Sequence, residues 1–276
     1  MGMRITTNIA AINTQRNLTN SQRMMQSSSA QLASGYRINK AADDAAGLAI
    51  SENMRGQIRS SGQAKRNAND AISLVQTAEG GLGEVTNIIV RLRELGIQSA
   101  SDTIGDQERS LIQTEVSQLK QEVNRIARAT RWNSTNLLDG SSPQFDFQVG
   151  IYAGEHDRIT FDASKNVATL DALGLTDIDY TSKEGSKSAI TQLEGAQQQV
   201  NTMRANLGAL QNRMTSTVDT LAITEENLAA ANSRIRDTDV AASTSEMARN
   251  SVLLQAGTAT LAQANQSTQL ALKLIG

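Results

Sequence analysis

Reactive chemistry in this chain would have to begin at His156, the one histidine among 276 residues that include no cysteine. A metal site needs several nitrogen, sulfur or carboxylate ligands converging on one point. His156 instead stands alone in the turn-like AGEHD at 153–157 and reads as a solvated turn residue. One turn-borne histidine also cannot complete a Ser–His–acid set, however abundant serine is. Asp43 and Asp44 are paired carboxylates of the type that does general acid–base work. No pocket is implied around them, and a carboxylate there is better used in the first turn of the following helix, where the dipole favours negative charge. The run GGLG at 80–83 follows a helical pattern rather than a strand and lacks the Lys-Ser/Thr ending of a phosphate loop. No HExxH motif is present. The chain therefore offers no catalytic, cofactor-binding or metal-ligating residues, and the expectation is a protein that is not an enzyme.

The bulk numbers narrow the class further. A net charge of −2 with 20% charged residues gives none of the basic surplus of a non-specific nucleic-acid binder. No stretch reaches the ~18 apolar residues of a membrane span. The opening MGMRITTNIAAINTQRNL lacks the apolar core of a signal peptide. The reading is no nucleic acid, no membrane, and export, if any, without a cleaved signal. Aromatics at 3% are too few for one thick core but suit narrow helix–helix seams, and the single proline, Pro143, leaves long stretches free to be helical.

The positioning elements follow from periodicity. Stepping by seven from Leu193 gives Val200, Leu207, Met214, Leu221, Leu228 and Ile235, with Ala196, Met203, Leu210, Thr217, Thr224 and Ala231 three residues on. This 3.5-residue repeat, roughly 60 Å long from 193 to 235, is the seam of a supercoiled helix over about 187–235, and it requires partner helices. Two partners precede it. One runs to about Ser99 through Met54, Ile58, Ile72, Val75, Leu82, Val85, Ile89 and Leu92, weakened by Gly80, Gly81 and Gly83. The other runs from about Asp106 to Ala129 with Ile112, Val116, Leu119, Val123 and Ile126 in an a/d pattern. Between them, 101–106 is a turn. Residues 130–143 read as a loop anchored by Trp132, Leu137 and Leu138.

At 144–161 the period changes to two, with Phe145, Phe147, Val149 and Ile151 alternating with polar residues before Ile159 and Phe161, so a β hairpin is expected. Residues 162–186 read as loop with a weak helical turn. Both ends are soft helices of low charge. Ile5, Ile9 and Ile12 mark one face of the first, followed by Leu18, Met25 and Leu32 in steps of seven. Met247, Leu254, Leu261 and Leu270 mark the last. Gly35 is placed to end the first helix, and Thr238 or Asp239 to cap the last. The layout is mirror-like. The fold expected is mainly α, a long antiparallel coiled-coil bundle with a small β hairpin and paired N- and C-terminal helices. The divisions are 1–42 and 236–276 for the terminal pair and 43–235 for the bundle.

The residues also carry a resemblance. MRITTNIAAINTQRNL at the start, SGYRINKAADDAAGLAI at 34–50 and LLQAGTATLAQANQSTQLALKLIG at 253–276 are similar to the start, the N-terminal signature and the C-terminal helix of bacterial flagellin. The resemblance implies a minimal flagellin without large outer domains, secreted and polymerised into the filament used for swimming, with no cofactor. It implies an inner tube of paired terminal helices that fold on assembly. Ile5, Ile9, Ile12, Leu18, Met25, Leu32, Met247, Leu254, Leu261 and Leu270 are then the candidate subunit interface. It further implies hook-associated and cap proteins as partners, and an export chaperone at the C-terminal helix. Arg91, Glu94 and Leu95 match the family's pattern for recognition by the host Toll-like flagellin receptor, and Glu115 is placed with them as a candidate epitope. Val90 stands where Gln is commoner, and Trp132-Asn133-Ser134 where the family usually has aromatic-Asn-Gly. A hook–filament junction protein has similar ends and is the alternative. A coiled-coil adhesin would need an anchor, and none is found.

Overall fold

The computed structural model describes residues 7–142 and 144–273, with side chains through residue 266. Five α-helices dominate these residues: α1 (Ile9–Ser34), α2 (Ala45–Ser99), α3 (Asp106–Ala129), α4 (Lys183–Arg236) and α5 (Val240–Lys273). Between α3 and α4 lie two antiparallel ribbons, β1 (Arg131–Trp132) with β2 (Thr135–Asn136), and β3 (Gln144–Gln148) with β4 (Arg158–Asp162). The mainly helical class with a small hairpin is as the patterning predicts. Apart from α3, which follows Gly105, the helices start where side chains supply caps. Asn8 accepts from the Ala11 N–H at 3.0 Å ahead of α1. Asp44 accepts from the Gly47 N–H at 2.8 Å ahead of α2. Asp239 accepts from Ala241 and Ala242 at 2.9 and 3.1 Å ahead of α5. The seam helix begins at Lys183 rather than 187, because the Ser182 hydroxyl receives the Gly185 N–H at 3.1 Å.

Two compact units form: residues 1–57 with 227–276, and residues 58–226. Both divisions fall inside helices, α2 and α4, whereas the breaks expected from sequence at 42/43 and 235/236 lie at helix corners.

In the second unit α2 contributes Ala71, Leu74, Ala78, Leu82, Val85, Ile89 and Leu92 to one buried core. Val116, Val123 and Ala127 of α3 join them, as do Leu193, Ala196, Val200, Leu207 and Met214, the expected seam of α4. α2 and α4 run antiparallel. Lys65 pairs with Glu225 at 2.8 Å, Glu79 lies 3.7 Å from Arg204, and Ser186 donates to the Ser99 hydroxyl at 2.9 Å. The glycines at 80–83 are not equivalent. A Cβ on Gly81 would meet Thr130 Oγ1 at 2.6 Å and Leu138 Cδ1 at 2.8 Å, so this glycine lets the 130–138 segment close on α2. Gly80 and Gly83 face open space.

The 130–143 stretch is not only a loop. Its β1–β2 ribbon turns through Asn133 (φ 43°) and Ser134 (φ 68°), the paired positive φ of a type I′ turn. In the larger hairpin Phe145 lies opposite Phe161 and Phe147 opposite Ile159. The Phe145 ring stacks at 6.0 Å on Phe161 and 6.4 Å on Phe147. His156 is exposed in a 3-10 turn at Glu155–Asp157.

Residues 163–182 hold no longer element than a 3-10 turn at Ala163–Lys165, yet are firmly packed. Ala163, Ala168, Leu173, Leu175, Ile178 and Tyr180 are all buried. Tyr180 donates its hydroxyl to the Leu92 carbonyl at 2.8 Å and its N–H to Gln113 at 2.9 Å, and its own carbonyl accepts from Ser99. Burial drives the phenol above its ordinary pKa. Beside it, buried Arg109 of α3 donates to the carbonyls of Ser99 and Ser101 at 3.0 and 3.1 Å and pairs with Asp106 at 2.9 Å. The guanidinium thus satisfies and charge-matches the C-terminal end of α2.

Candidate assembly surface

The terminal pair is built from the corner outward. α1 stops at Gly35, whose φ of 74° suits glycine, and its N–H returns to the Gln31 carbonyl. Tyr36 then bridges Asp237, Arg37 donates its N–H to the Arg236 carbonyl at 2.7 Å, and Thr238 donates to Gly35 at 3.0 Å. The Arg236 guanidinium lies 4.5 Å above the Tyr36 ring and 2.6 Å from Glu52. The Asp43 carboxylate accepts the N–H groups of Lys40 and Asn39 at 2.9 and 3.0 Å. These bonds, Lys40 foremost, hold it below the usual carboxylate range. A Cβ on Gly47 would strike the Asp44 carboxylate and come within 2.9 Å of Ile38, which is buried. Gly35, Tyr36, Arg37, Ile38, Asp43, Asp44 and Gly47 of the 34–50 signature therefore have structural tasks here. Asp43 serves the turn and Asp44 the helix, a division that the sequence left open.

From that corner α1 and α5 run antiparallel, with Asn8 donating its amide to the Ala264 carbonyl at 2.9 Å at the far end. The less exposed side chains of α1 fall in steps of three, four or seven: Ala11, Thr14, Leu18, Ser21, Ser28, Leu32. On α5 they are Ser243, Met247, Asn250, Leu254, Gly257, Leu261 and Ala264. Leu18 fits against Gly257, where a Cβ would lie 2.8 Å from its Cδ1. Leu18, Leu32, Met247, Leu254 and Leu261 are thus half-buried within the chain's own seam, and Met25, 36% exposed, sits at its edge. Ile9 and Ile12, 52% and 57% exposed, face outward. Ile5 and the Leu270 side chain lie outside the described residues.

Sequence reasoning missed two sets of residues. Ser28, Ser243 and Asn250 are buried although polar. Met24, Ile50, Val240, Val252 and Leu253 are exposed although apolar. The adjacent pairs Met24–Met25 and Leu253–Leu254 were the available signal, because neighbours on a helix point about 100° apart and cannot both serve one narrow seam.

In the second unit, the Arg91 guanidinium reaches Glu115 on α3 at 2.9 Å and Glu94 at 3.1 Å. These bonds, Glu115 foremost, raise its pKa further. Val90, Ile97 and Leu111 are exposed in the same two helices. Leu95 is not at the surface. At 2% exposure it belongs to the core, since α2 turns that position inward beside Leu92. The expected patch therefore reduces to Arg91, Glu94 and Glu115.

A family model for the bacterial flagellin N-terminal helical region matches residues 5–143, and one for the C-terminal helical region matches residues 190–275. The chain belongs to the bacterial flagellin family. It is 43% identical over 273 residues to a flagellin of Halalkalibacterium halodurans, a match covering 99% of this chain and 100% of that protein. It is 44% identical over 288 residues to a flagellar filament core protein of Brachyspira hyodysenteriae, covering 99% and 100%. Among solved structures, a crystal structure of Bacillus cereus flagellin superposes with a TM-score of 0.51 at 28% identity, over 60% of this chain and 94% of that one. Neither relative's name favours the junction-protein reading. In this flagellin, no helix among the described residues is long and apolar enough to cross a membrane.

Proposed function

We propose that this flagellin is a structural subunit that polymerises into the extracellular flagellar filament used for swimming, and that α1 and α5 complete their folding as it does so. The observation that carries this reading is the terminal pair itself. Its internal seam is thin and partly polar, while Ile9, Ile12, Met24, Val240, Val252 and Leu253 stand in solvent. Apolar side chains in this density on paired helices mark a contact surface. Burying them against other copies, through a contact that does not close on itself, yields an open helical polymer. Residues 1–42 and 236–276 are assigned to that inner contact, with Ile5 and Leu270 included, and 43–235 to the outer bundle. Electron microscopy of purified chain after seeding should show long filaments, and a chain that stays monomeric with competent seeds refutes the reading.

The same reading extends to partners. Hook-associated and cap proteins would meet the exposed terminal helices at the filament ends. An export chaperone would shield the outward face of α5 around Val252 and Leu253 before assembly. The Arg91, Glu94 and Glu115 cluster is the surface offered to the host Toll-like flagellin receptor. No catalytic role is proposed.

A further inference from the structure

With no cysteine in the chain, the thioethers of methionine are its only readily oxidised sulfurs. They are not equally placed. Met214 is fully buried and Met203 packs against the core of the second unit. Met24 and Met25 are open to solvent on α1. Met247 is half-buried in the same seam on α5, whereas Met25 at its edge is both open to an oxidant and placed to couple oxidation to packing. It follows Leu18 and precedes Leu32 on the step of seven, and these three are the large apolar side chains of a face otherwise made of Ala11, Thr14, Ser21 and Ser28. It also lines a groove of about 460 Å³ with Leu254 of α5 and the small side chains Ser29, Ala30 and Ala33.

We propose that Met25 is an oxidation site at which conversion to the sulfoxide blocks assembly, an inference that rests on the filament reading above. In the reaction the thioether sulfur attacks one peroxide oxygen. An S=O bond forms as the O–O bond breaks, the sulfur loses two electrons, and the other oxygen leaves as water after taking up the protons. The product is polar where the groove is apolar. Gln22 and Gln26 also line the groove, and their amides would offer donors to the sulfoxide oxygen. The edge of the α1–α5 contact then loses its middle apolar side chain, and the surface that another copy would cover carries a dipole instead.

The test treats soluble full-length chain with hydrogen peroxide to partial conversion, seeds assembly, and maps sulfoxide in pellet and supernatant by peptide mass spectrometry. Untreated chain must pellet, and its failure to do so counts against the filament reading rather than this one. Met25 should oxidise well before Met203 and Met214, and its sulfoxide should be depleted about tenfold from the pellet. Treatment with methionine sulfoxide reductases should restore pelleting. A Met25→Leu chain should keep pelleting after peroxide, and loss of its pelleting on oxidation overturns the proposal by placing the damage elsewhere. If Met25→Leu does not assemble untreated, the partition of wild-type sulfoxide decides alone. Equal Met25 sulfoxide in pellet and supernatant overturns the proposal.

Discussion

Ser134 holds a left-handed backbone at φ 68° that its side chain disfavours, at a turn where the family usually places glycine. The left-handed cost for an L-residue is about 1–2 kcal/mol, offset in part by the ~0.5–1 kcal/mol of extra freedom that glycine has when unfolded. Ser134→Gly should therefore stabilise the second unit by about 0.5–1 kcal/mol, read as a higher denaturation midpoint at unchanged slope. Tyr180 makes the opposite case. Tyr180→Phe removes the donor to Leu92 in a buried setting and should cost about 1–2 kcal/mol. Its titration gives a second readout. The folded phenol is raised above its ordinary value of 10.0, so the folded state retains a proton that the unfolded chain releases. This contribution to stability is fully present below pH 10 and declines as pH rises through the folded value. Alkaline unfolding of wild type should show this fall, and Tyr180→Phe should lack that component. An unchanged alkaline limb in the variant would show that other groups govern it.

Helices were legible wherever their information was one-dimensional. The heptad from Leu193 to Leu221 needs only counting, and it is buried as counted. Helix ends were nearly as legible, because Gly35, Asp44 and Asp239 act on their own neighbours. The buried arms of the 162–185 segment were not. Tyr180 meets its acceptor across 88 residues of chain, and nothing near Tyr180 in sequence announces Leu92. Of the candidate residues, the steps of seven found the half-buried seam of α1 and α5, and Ile9 and Ile12 face outward, but the exposed Met24, Val240, Val252 and Leu253 escaped because hydrophobic stepping detects one face only. Leu95 failed for a related reason, since a motif match reports residue type and not the direction in which α2 turns it. For α5 the sharpest check is Leu261→Asp. An unpaired carboxylate in that seam costs several kcal/mol once the pair and its neighbours close. Seeded pelleting should be lost while the unassembled fraction keeps the circular dichroism of the second unit. Normal pelleting would remove Leu261 from the contact.

At the scale of the whole chain, two units with unlike interiors should come apart at different points. Residues 58–226 enclose the shared core of Leu, Val, Ile and Ala side chains. The pairing of α1 with α5 rests on a few half-buried side chains. Limited proteolysis of a verified monomer should trim the chain from both ends and leave a resistant fragment close to 58–226. Cleavage beginning inside that fragment, with intact ends, would contradict folding coupled to assembly.

Ser28, Ser243 and Asn250 in the terminal seam carry a further, calorimetric consequence. Heat capacity rises on melting because apolar surface meets water, and polar surface subtracts from it, so typical proteins gain about 12–15 cal/mol/K per residue. A seam with hydroxyls and an amide among its most enclosed groups exposes little apolar area when it opens. The α1–α5 pair should therefore melt over a broad temperature range with a gain per residue well below that norm. Its stability in the free chain would be a shallow function of temperature, and the steep dependence would arise only once neighbouring copies bury Val252, Leu253 and the isoleucines of α1.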